Sequence, residues 1–330
     1  MDLPLVWFAL VVLCWVLFVV LEGFDFGVGM LAPLLGRDPA QRGAALRTIA
    51  PVWDGNEVWL VAAIGVTFAA FPDWYAAMLA GLYLPLVLLL LMLAVRGVAL
   101  EFRGKKDSAG WRRRCDVALA LSSAATAAAV GGLLGALTGG LALDRNGDVT
   151  GGALGRSLAV LVEPHTVVGA LAGLLAAVAL GATYLGLRTT GPVRERARSW
   201  ALPAALVLAV GAVLLVMSGE LPWVWGLAVA VSAAVSAAAV RAGREAWAFG
   251  VMVVAVGLGA VVGFLGRYPV VLPSTLDPAW SLTVDGAAAS QTALQTVSVA
   301  ALVILPGVLA YQALAYWVFR KRVTSEPVPT

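Results

Sequence analysis

Nine apolar stretches, each about as long as a membrane is thick, constrain this 330-residue chain more than any other feature. A helix needs about 20 residues to cross the roughly 30 Å hydrocarbon core of a bilayer. Composition agrees, because 61% of the residues are hydrophobic and only 12% are charged, which excludes a soluble globular protein. The sequence predicts an all-α integral membrane protein, a bundle of about nine transmembrane helices that forms one polytopic domain over residues 1–330. The predicted spans are approximately 5–33, 49–71, 75–100, 117–139, 157–187, 200–218, 221–240, 246–266 and 288–319.

Basic residues fall almost entirely on one side of the predicted bundle. Short cytoplasmic loops retain Lys and Arg, so the loops richest in these residues predict the cytoplasmic side of the membrane. This rule predicts an N-terminus outside the cell and a cytoplasmic C-terminus. The net charge of +3 arises from these loops and predicts contact with anionic membrane lipids, not nucleic-acid binding. The basic residues elsewhere are Arg96, Arg145, Arg156 and Arg267.

Two pairs of carboxylates interrupt the first two apolar stretches. Glu22 and Asp25 lie in the first stretch, and Asp54 and Glu57 lie in the second. A spacing of three residues puts each pair on one helical face. A charge at the centre of a transmembrane helix costs about 2.5 to 3.5 kcal/mol on insertion scales, so these groups need pairing, protonation or a polar cavity. All four are predicted in the inner half of the bilayer, which favours a half-channel that takes up protons from the cytoplasm.

The alternative interpretation of these acids is a structural polar cluster. In that case the carboxylates would hydrogen-bond Trp53, Asn56 or Trp59, or would pair with Arg96. Two interpretations of Arg96 are open. It can be a counter-ion of the acids, or, as an arginine near a helix end, it can extend its charged group to the membrane surface.

Histidine and cysteine content limits the cofactors that this chain can hold. Its one histidine, His165, cannot supply the paired imidazoles of a bis-histidine haem, and we predict no metal site, so any redox centre belongs to another chain. Cys14 and Cys115 are predicted at different membrane depths, which excludes a disulfide between them. Glu163, Pro164 and His165 form a second polar cluster, in which we expect a hydrogen-bonded interior histidine, with a redox or proton-transfer role as the alternative.

Six longer motifs are distinctive, above all the pairing of GFD in one helix with WDGN in the next. Together they resemble subunit II of cytochrome bd-type quinol oxidases over nearly the whole chain. The motifs are EGFDFGVGML (22–31), TIAPVWDGNEVWL (48–60), FAAFPDWYAAMLAGLYLPL (68–86), GATYLGLRT (181–189), YPVVLPS (268–274) and SLTVDGAAASQTAL (281–294).

The resemblance implies a haem-free subunit of a terminal respiratory oxidase in the cell membrane of a prokaryote. Such a complex oxidises membrane quinol and reduces oxygen to water, with haem b and haem d bound by its partner, subunit I. Small single-helix accessory subunits are possible further partners in such a complex. Whether a quinone is also bound as a structural cofactor stays open. Two departures from the family pattern are Glu22, where the family often has Asp, and Glu163-Pro164, where Asn-Pro is expected.

The resemblance also implies a proton path at the interface between the two subunits. The family uses the acid of the WDGN motif, which is Asp54 here, with the acid of the GFD motif, Asp25, nearby. We expect Asp54 to be the main relay, Asp25 and Glu57 to support water-mediated transfer, and Glu22 to admit protons or tune the path. Two other functions stay open: a proton-coupled secondary transporter, and an assembly subunit without a proton path.

Overall fold

The computed structural model describes residues 2–219 and 221–324, and they form a bundle of helices. Side-chain caps begin several helices by accepting hydrogen bonds from first-turn backbone N–H groups. Asp2 caps α1 at Leu5 N, and Ser290 caps α12 at Ala293 N. The α-helices are α1 (Leu3–Leu35), α2 (Pro39–Arg47), α3 (Trp53–Ala70), α4 (Pro72–Gly81), α5 (Tyr83–Phe102), α6 (Ala109–Gly139), α7 (Ala153–Val162), α8 (Pro164–Arg188), α9 (Gly191–Met217), α10 (Trp223–Arg241), α11 (Glu245–Leu265) and α12 (Gln291–Val318).

Eight helices within the described ranges are long and apolar enough to cross a membrane, namely α1, α5, α6 and α8 to α12. They match eight of the nine predicted spans, and the all-α prediction is confirmed. The remaining predicted span, 49–71, corresponds to α3, a helix of 18 residues. Asp54, Asn56 and Glu57, which belong to the predicted site, make the start of α3 polar. This polarity distinguishes α3 from the other predicted spans.

The prediction of one continuous helix over 75–100 is wrong. The chain forms α4 and α5, which are separated at Leu82. Pro85 accounts for this break, because its ring would clash with the carbonyl of Gly81 in a continuous helix, and it has no N–H group to donate. The residues around the break are apolar, so hydropathy gave no sign of it.

Helix α1 lies at the centre of the bundle and packs against α3, α6, α8 and α11. Its contact with α8 is close, because a Cβ atom at Gly27 would lie 1.9 Å from the carbonyl oxygen of Ala177. Small residues allow this approach between helix backbones, as is common in membranes. Cys14 and Cys115 are both buried and free, as predicted.

Most basic residues gather at one end of the bundle, which we call the arginine-rich end. The ends of α5 and α6 meet there at Asp116, whose Oδ1 accepts a hydrogen bond from Arg103 Nε at 2.5 Å. Arg42, from α2, lies 3.5 Å from the other oxygen of the same carboxylate. The loops that were predicted to share one side of the membrane therefore come together in space.

A second group of charges at this end, the arginine cluster, surrounds the single carboxylate of Glu245. Arg194 Nη2 lies 2.5 Å from Glu245 Oε1, and Arg198 Nη1 lies 3.8 Å from the same oxygen. Arg322 Nη2, beyond α12, lies 3.7 Å from Oε2. Next to it, Val323 forms a parallel bridge with Thr189. These contacts attach the segment after α12 to α8, α9 and α11.

The opposite end of the bundle is closed by the segment from Tyr268 to Ser290. All of it is described and contains no α-helix, and Pro269, Pro273 and Pro278 account for this, because proline disrupts a helix interior. Short strands β1 (Val270–Leu272) and β2 (Leu282–Thr283) pair antiparallel, with a 3₁₀ turn at Pro278–Trp280 between them.

Candidate functional site

A buried arginine joins the predicted acids of α1 and α3 into one group. Arg96 Nη1, from α5, lies 3.0 Å from Glu22 Oε2 and 2.9 Å from Glu57 Oε1. Arg96 Nη2 lies 4.0 Å from Asp25 Oδ2. We call Glu22, Asp25, Glu57 and Arg96 the acid cluster. Three carboxylates from two helices thus share one guanidinium from a third helix.

Burial separates the members of the acid cluster. The side chains of Glu22, Asp25 and Arg96 are 0% exposed, whereas that of Glu57 is 27% exposed. The surface-directed alternative for Arg96 is therefore wrong: its guanidinium stays inside, 4.9 Å from the ring centre of Phe26. The residue acts as the counter-ion of the acids.

Several polar atoms of the acid cluster have no hydrogen-bond partner within the described residues. They are both carboxylate oxygens of Glu22, Oδ1 of Asp25, and Nε and Nη2 of Arg96. Glu22 is close enough to Arg96 for an ion pair but does not meet hydrogen-bond geometry. Buried polar groups in this situation are where proteins hold internal water.

Asp54 differs from the other three acids because its side chain is exposed. It lies in the first turn of α3, where the positive end of the helix dipole favours a carboxylate. No ion pair joins it to another described residue. It precedes the partly exposed Glu57 by three residues, so the two acids are neighbours on one helical face.

Helix α12 contributes two site residues that the sequence analysis missed. Asn56 Nδ2 donates to Asp25 Oδ2 at 2.7 Å. Its other amide atom, Oδ1, accepts from Gln312 Nε2 and from Tyr316 OH, each at 2.8 Å. Trp59 Nε1 donates to Gln312 Oε1 at 2.9 Å. The only sequence signal for this contribution is a polar pair, Gln312 and Tyr316, spaced one turn apart on an apolar helix.

The two tryptophans of α3 do not hydrogen-bond the carboxylates. Trp59 donates to Gln312 instead, and the ring of Trp53 lies 5.9 Å from Arg96 Cζ as a cation–π neighbour. Of the partners named for a structural cluster, Asn56 and Arg96 contact the acids directly.

The second predicted polar cluster lies where α7 ends and α8 begins. One continuous helix over 157–187 is wrong, because Glu163 has an extended backbone and Pro164 starts a new helix, a position that proline favours. Glu163 caps α8 by accepting from Thr166 N at 2.9 Å and also lies 2.7 Å from His165 Nδ1.

These contacts lower the pKa of Glu163. Partial burial would raise the pKa of Glu163, but the hydrogen bonds from His165 and from the Thr166 backbone outweigh burial and hold that pKa below its ordinary value. His165 thus lies next to Glu163, the residue that caps α8, and its side chain is about one-third exposed. Within the described ranges, no three His, Cys, Asp or Glu side chains are grouped to hold a metal ion.

A multi-span helical bundle that buries an acid-rich cluster belongs to a recognisable class of protein. These are integral membrane proteins with ionisable groups inside the bilayer, where such groups are rare and typically functional. Comparison with known proteins then narrows the class. The family model for cytochrome bd terminal oxidase subunit II matches residues 3–319.

Known relatives match along almost their whole length. Cytochrome bd ubiquinol oxidase subunit 2 of Bacillus subtilis strain 168 is 35% identical over 336 residues, which cover 98% of this chain and 97% of the relative. Cytochrome bd-I ubiquinol oxidase subunit 2 of Escherichia coli K12 is 30% identical over 366 residues, covering 99% and 96%. A chain in the structure of bd oxidase from Geobacillus thermodenitrificans shares the fold, with a TM-score of 0.76, 18% identity and coverage of 97% and 99%.

The chain belongs to the cytochrome bd terminal oxidase subunit II family. It is accordingly a multi-span protein of the bacterial cytoplasmic membrane and one subunit of an oxidase complex that also contains a subunit I. Membership sets aside the transporter hypothesis.

Proposed function

We propose that this chain is the haem-free subunit of a quinol:oxygen oxidoreductase, and that it supports subunit I and brings it protons from the cytoplasm. The acid cluster carries this proposal. Three carboxylates against one guanidinium leave an excess of negative charge inside the membrane, which protons taken up from water can balance. A polar cluster with only a structural role would need no such excess.

The orientation in this proposal follows the distribution of arginines. The arginine-rich end faces the cytoplasm, because short cytoplasmic loops retain basic residues. Asp54 and Glu57 lie in the first part of α3, close to that end. Protons therefore enter the site from the cytoplasm, which is the side where the proposed path must begin.

Exposure sets the proposed order of the acids. Asp54, which is exposed, takes up the proton first, and the partly exposed Glu57 receives it next. Asp25 and Glu22 are buried around Arg96, so they form the inner part of the path. Glu22 was predicted either to admit protons or to tune the path, and its complete burial supports the tuning role.

Arg96 has a defined task in this scheme. It lies within ion-pair distance of all three clustered carboxylates, so it can stabilise whichever of them is ionised. An acid that gains a proton loses most of its attraction to the guanidinium and is free to pass the proton on. Internal water at the unpartnered oxygens of Glu22 and Asp25 would complete the connection.

The haems of the complex do not fit this chain. Its one histidine, His165, is engaged at the α7–α8 junction by Glu163 and is far in sequence from the acid cluster. We therefore assign haem b and haem d to subunit I and derive no step of this chain through them. The substrate of the complex is quinol, and its product from oxygen is water.

The proposed docking side for subunit I is the side of the bundle that exposes Asp54. A carboxylate facing lipid would be costly, so a partner surface at Asp54 suits both assembly and proton transfer. Helix α12 contacts α3 and supports this choice. Only 6% of the most apolar 18-residue stretch of α12 is buried within the chain, which leaves its surface free for a partner.

Replacement of Asp54 by Asn tests the proposal in the purified complex. We expect quinol oxidase turnover to fall by about 10²-fold or more, in the range for loss of a proton-transfer group, with the haem absorption spectrum intact. Asp73→Asn is the matched control, because Asp73 is also an exposed aspartate in a first helical turn, that of α4. Undiminished turnover in Asp54→Asn would contradict the relay. Loss of the haem spectrum in Asp54→Asn alone would favour a purely structural role.

A further inference from the structure

Gln312 and Tyr316 connect α12 to the acid cluster through one amide, that of Asn56. We infer that these two α12 residues are positioning residues, which hold Oδ2 of Asp25 as a hydrogen-bond acceptor and thereby confine any proton on Asp25 to Oδ1. The inference rests on the proposed function, because it concerns how Asp25 would carry a proton.

The direction of the hydrogen-bond chain is fixed at its far end, by Trp59. An indole N–H can only donate, so Gln312 Oε1, 2.9 Å away, is the acceptor. This leaves the NH₂ group of Gln312 to face Asn56, where it donates to Oδ1 at 2.8 Å. The orientation of the Gln312 amide therefore follows from chemistry, although oxygen and nitrogen occupy similar volumes.

The orientation of the Asn56 amide follows from that of Gln312. Because Asn56 Oδ1 receives the amide of Gln312, and also the hydroxyl of Tyr316 at 2.8 Å, its NH₂ group must point the other way. That group lies 2.7 Å from Asp25 Oδ2. An NH₂ group can only donate, so Asp25 Oδ2 must accept. A proton on that oxygen would face the donor and would break the chain.

The other oxygen of Asp25 has different surroundings. Oδ1 is buried and has no hydrogen-bond partner among the described residues, whereas Oδ2 is also the oxygen nearer Arg96 Nη2, at 4.0 Å. Both positive or donating neighbours thus act on Oδ2. The proton-carrying position of Asp25 is therefore Oδ1, the oxygen that is left without a donor within the described ranges.

Around Gln312 and Tyr316, the side chains of α12 are exposed or only partly buried, and the next attachment along the chain is the hydrogen bond from Arg188 to Phe319 O. Leu294, nearly six turns away, is the buried residue of α12. The ring of Tyr316 packs edge-on against Phe24 with ring centres 6.4 Å apart. The two α12 hydrogen bonds to Asn56 are therefore central to the contact between α12 and the acid cluster.

Infrared difference spectroscopy of the purified complex, recorded on acidification, tests this assignment. The band that disappears in Asp25→Asn belongs to Asp25. In Gln312→Leu combined with Tyr316→Phe, we expect the C=O stretch of protonated Asp25 to move to higher frequency, because its carbonyl oxygen, Oδ2, loses the fixed donor from Asn56. Gln295→Leu is the control, an exposed glutamine on the same helix, and should leave the band unmoved.

Single variants keep the test interpretable if the double variant assembles poorly. Tyr316→Phe retains the aromatic ring and removes one donor, and Gln312→Glu retains an acceptor for Trp59 while removing the amide donor to Asn56. Each should shift the Asp25 band in the same direction by a smaller amount. An unmoved band in both single variants, in complexes with a normal haem spectrum, would overturn the assignment.

The result can be separated from the fate of the proton path. A shifted Asp25 band together with undiminished turnover in Asp54→Asn would retain the positioning role and reject the path. Slow turnover in Asp54→Asn together with an unmoved band would retain the path and reject the positioning role.

Discussion

Two charge clusters in this chain have opposite compositions. The acid cluster surrounds one arginine, Arg96, with three carboxylates, whereas the arginine cluster surrounds one carboxylate, Glu245, with three arginines. The central side chains, Arg96 and Glu245, are 0% and 10% exposed, but the three arginines around Glu245 are between 34% and 42% exposed.

Exposure explains why the two clusters can serve different purposes. Excess positive charge at Glu245 is screened by water and attracts anionic lipid headgroups, so the arginine cluster can be a permanent anchor. Excess negative charge at Arg96 has no such solvent, and protons are the mobile charges that can balance it. Under the proposed function, burial within the bundle decides whether an unbalanced cluster anchors the fold or handles protons.

Removal of the central charge from the acid cluster should have the largest effect. Arg96→Met leaves two buried carboxylates and the partly exposed Glu57 without a cation, and removal of one partner from a buried ion pair typically costs about 3 to 5 kcal/mol. We expect almost no assembled complex, measured as haem absorption per milligram of membrane protein. Arg113→Met, at an exposed arginine near the start of α6, is the control and should assemble normally. A normal yield of active Arg96→Met complex would show that the clustered acids need no counter-ion.

Removal of the central charge from the arginine cluster should have a smaller effect. Glu245→Gln leaves three arginines together, but water screens them, so we expect a loss of about 1 kcal/mol. This corresponds to a thermal midpoint lower by about 2 to 4 °C, with turnover unchanged. Glu101→Gln, whose carboxylate is 61% exposed, should not change the midpoint. A drop in turnover at constant haem content would give the arginine cluster a role beyond anchoring.

Glu22→Gln makes the comparison sharper, because it removes one carboxylate from the acid cluster, which has more carboxylates than arginines. Arg96 keeps Glu57 and Asp25 as partners, so the free energy of unfolding should change by less than about 1 kcal/mol. Thermal unfolding of the purified complex measures this. A loss as large as that of Arg96→Met would mean that Glu22 is a required ion-pair partner and not a surplus acid.

The smallest effect is expected at Glu163, where the charge is balanced by a local cap. Its pKa in the folded protein lies below the ordinary 4.5 because of hydrogen bonds from His165 and Thr166. The stabilisation is therefore complete above about pH 4.5 and is lost as the pH falls through the folded-state pKa. Thermal midpoints of the wild type and Glu163→Gln should converge on acidification, and those of the exposed-site control Asp285→Asn should follow the wild type. A constant gap between wild type and Glu163→Gln would contradict this.

The sequence predicted most of the spans and the acids, because both leave local signals. Apolar runs identify helices, and the spacing of Glu22 and Asp25 places both on one face. Arg96 could be named as a partner because a buried acid needs a cation. The breaks at Leu82 and Glu163 were missed because hydropathy is blind to them, although proline follows each one closely.

The contribution of α12 could not be predicted in the same way. Gln312 and Asn56 are 256 residues apart, and nothing in either sequence context states that their helices meet. An isolated polar pair on an apolar helix is compatible with solvent, lipid headgroups or a partner subunit. Only the packing of α12 against α3 identifies its partner.

The central claim is that the acid cluster handles protons that enter through Asp54. Its most direct test is proton uptake by the complex during its reaction with oxygen, followed with a pH-indicator dye in Asp54→Asn and in the control Asp73→Asn. We expect uptake to slow by about 10²-fold or more in Asp54→Asn and to keep the wild-type rate in Asp73→Asn. Equal uptake rates in the two variants, with intact haems, would contradict it.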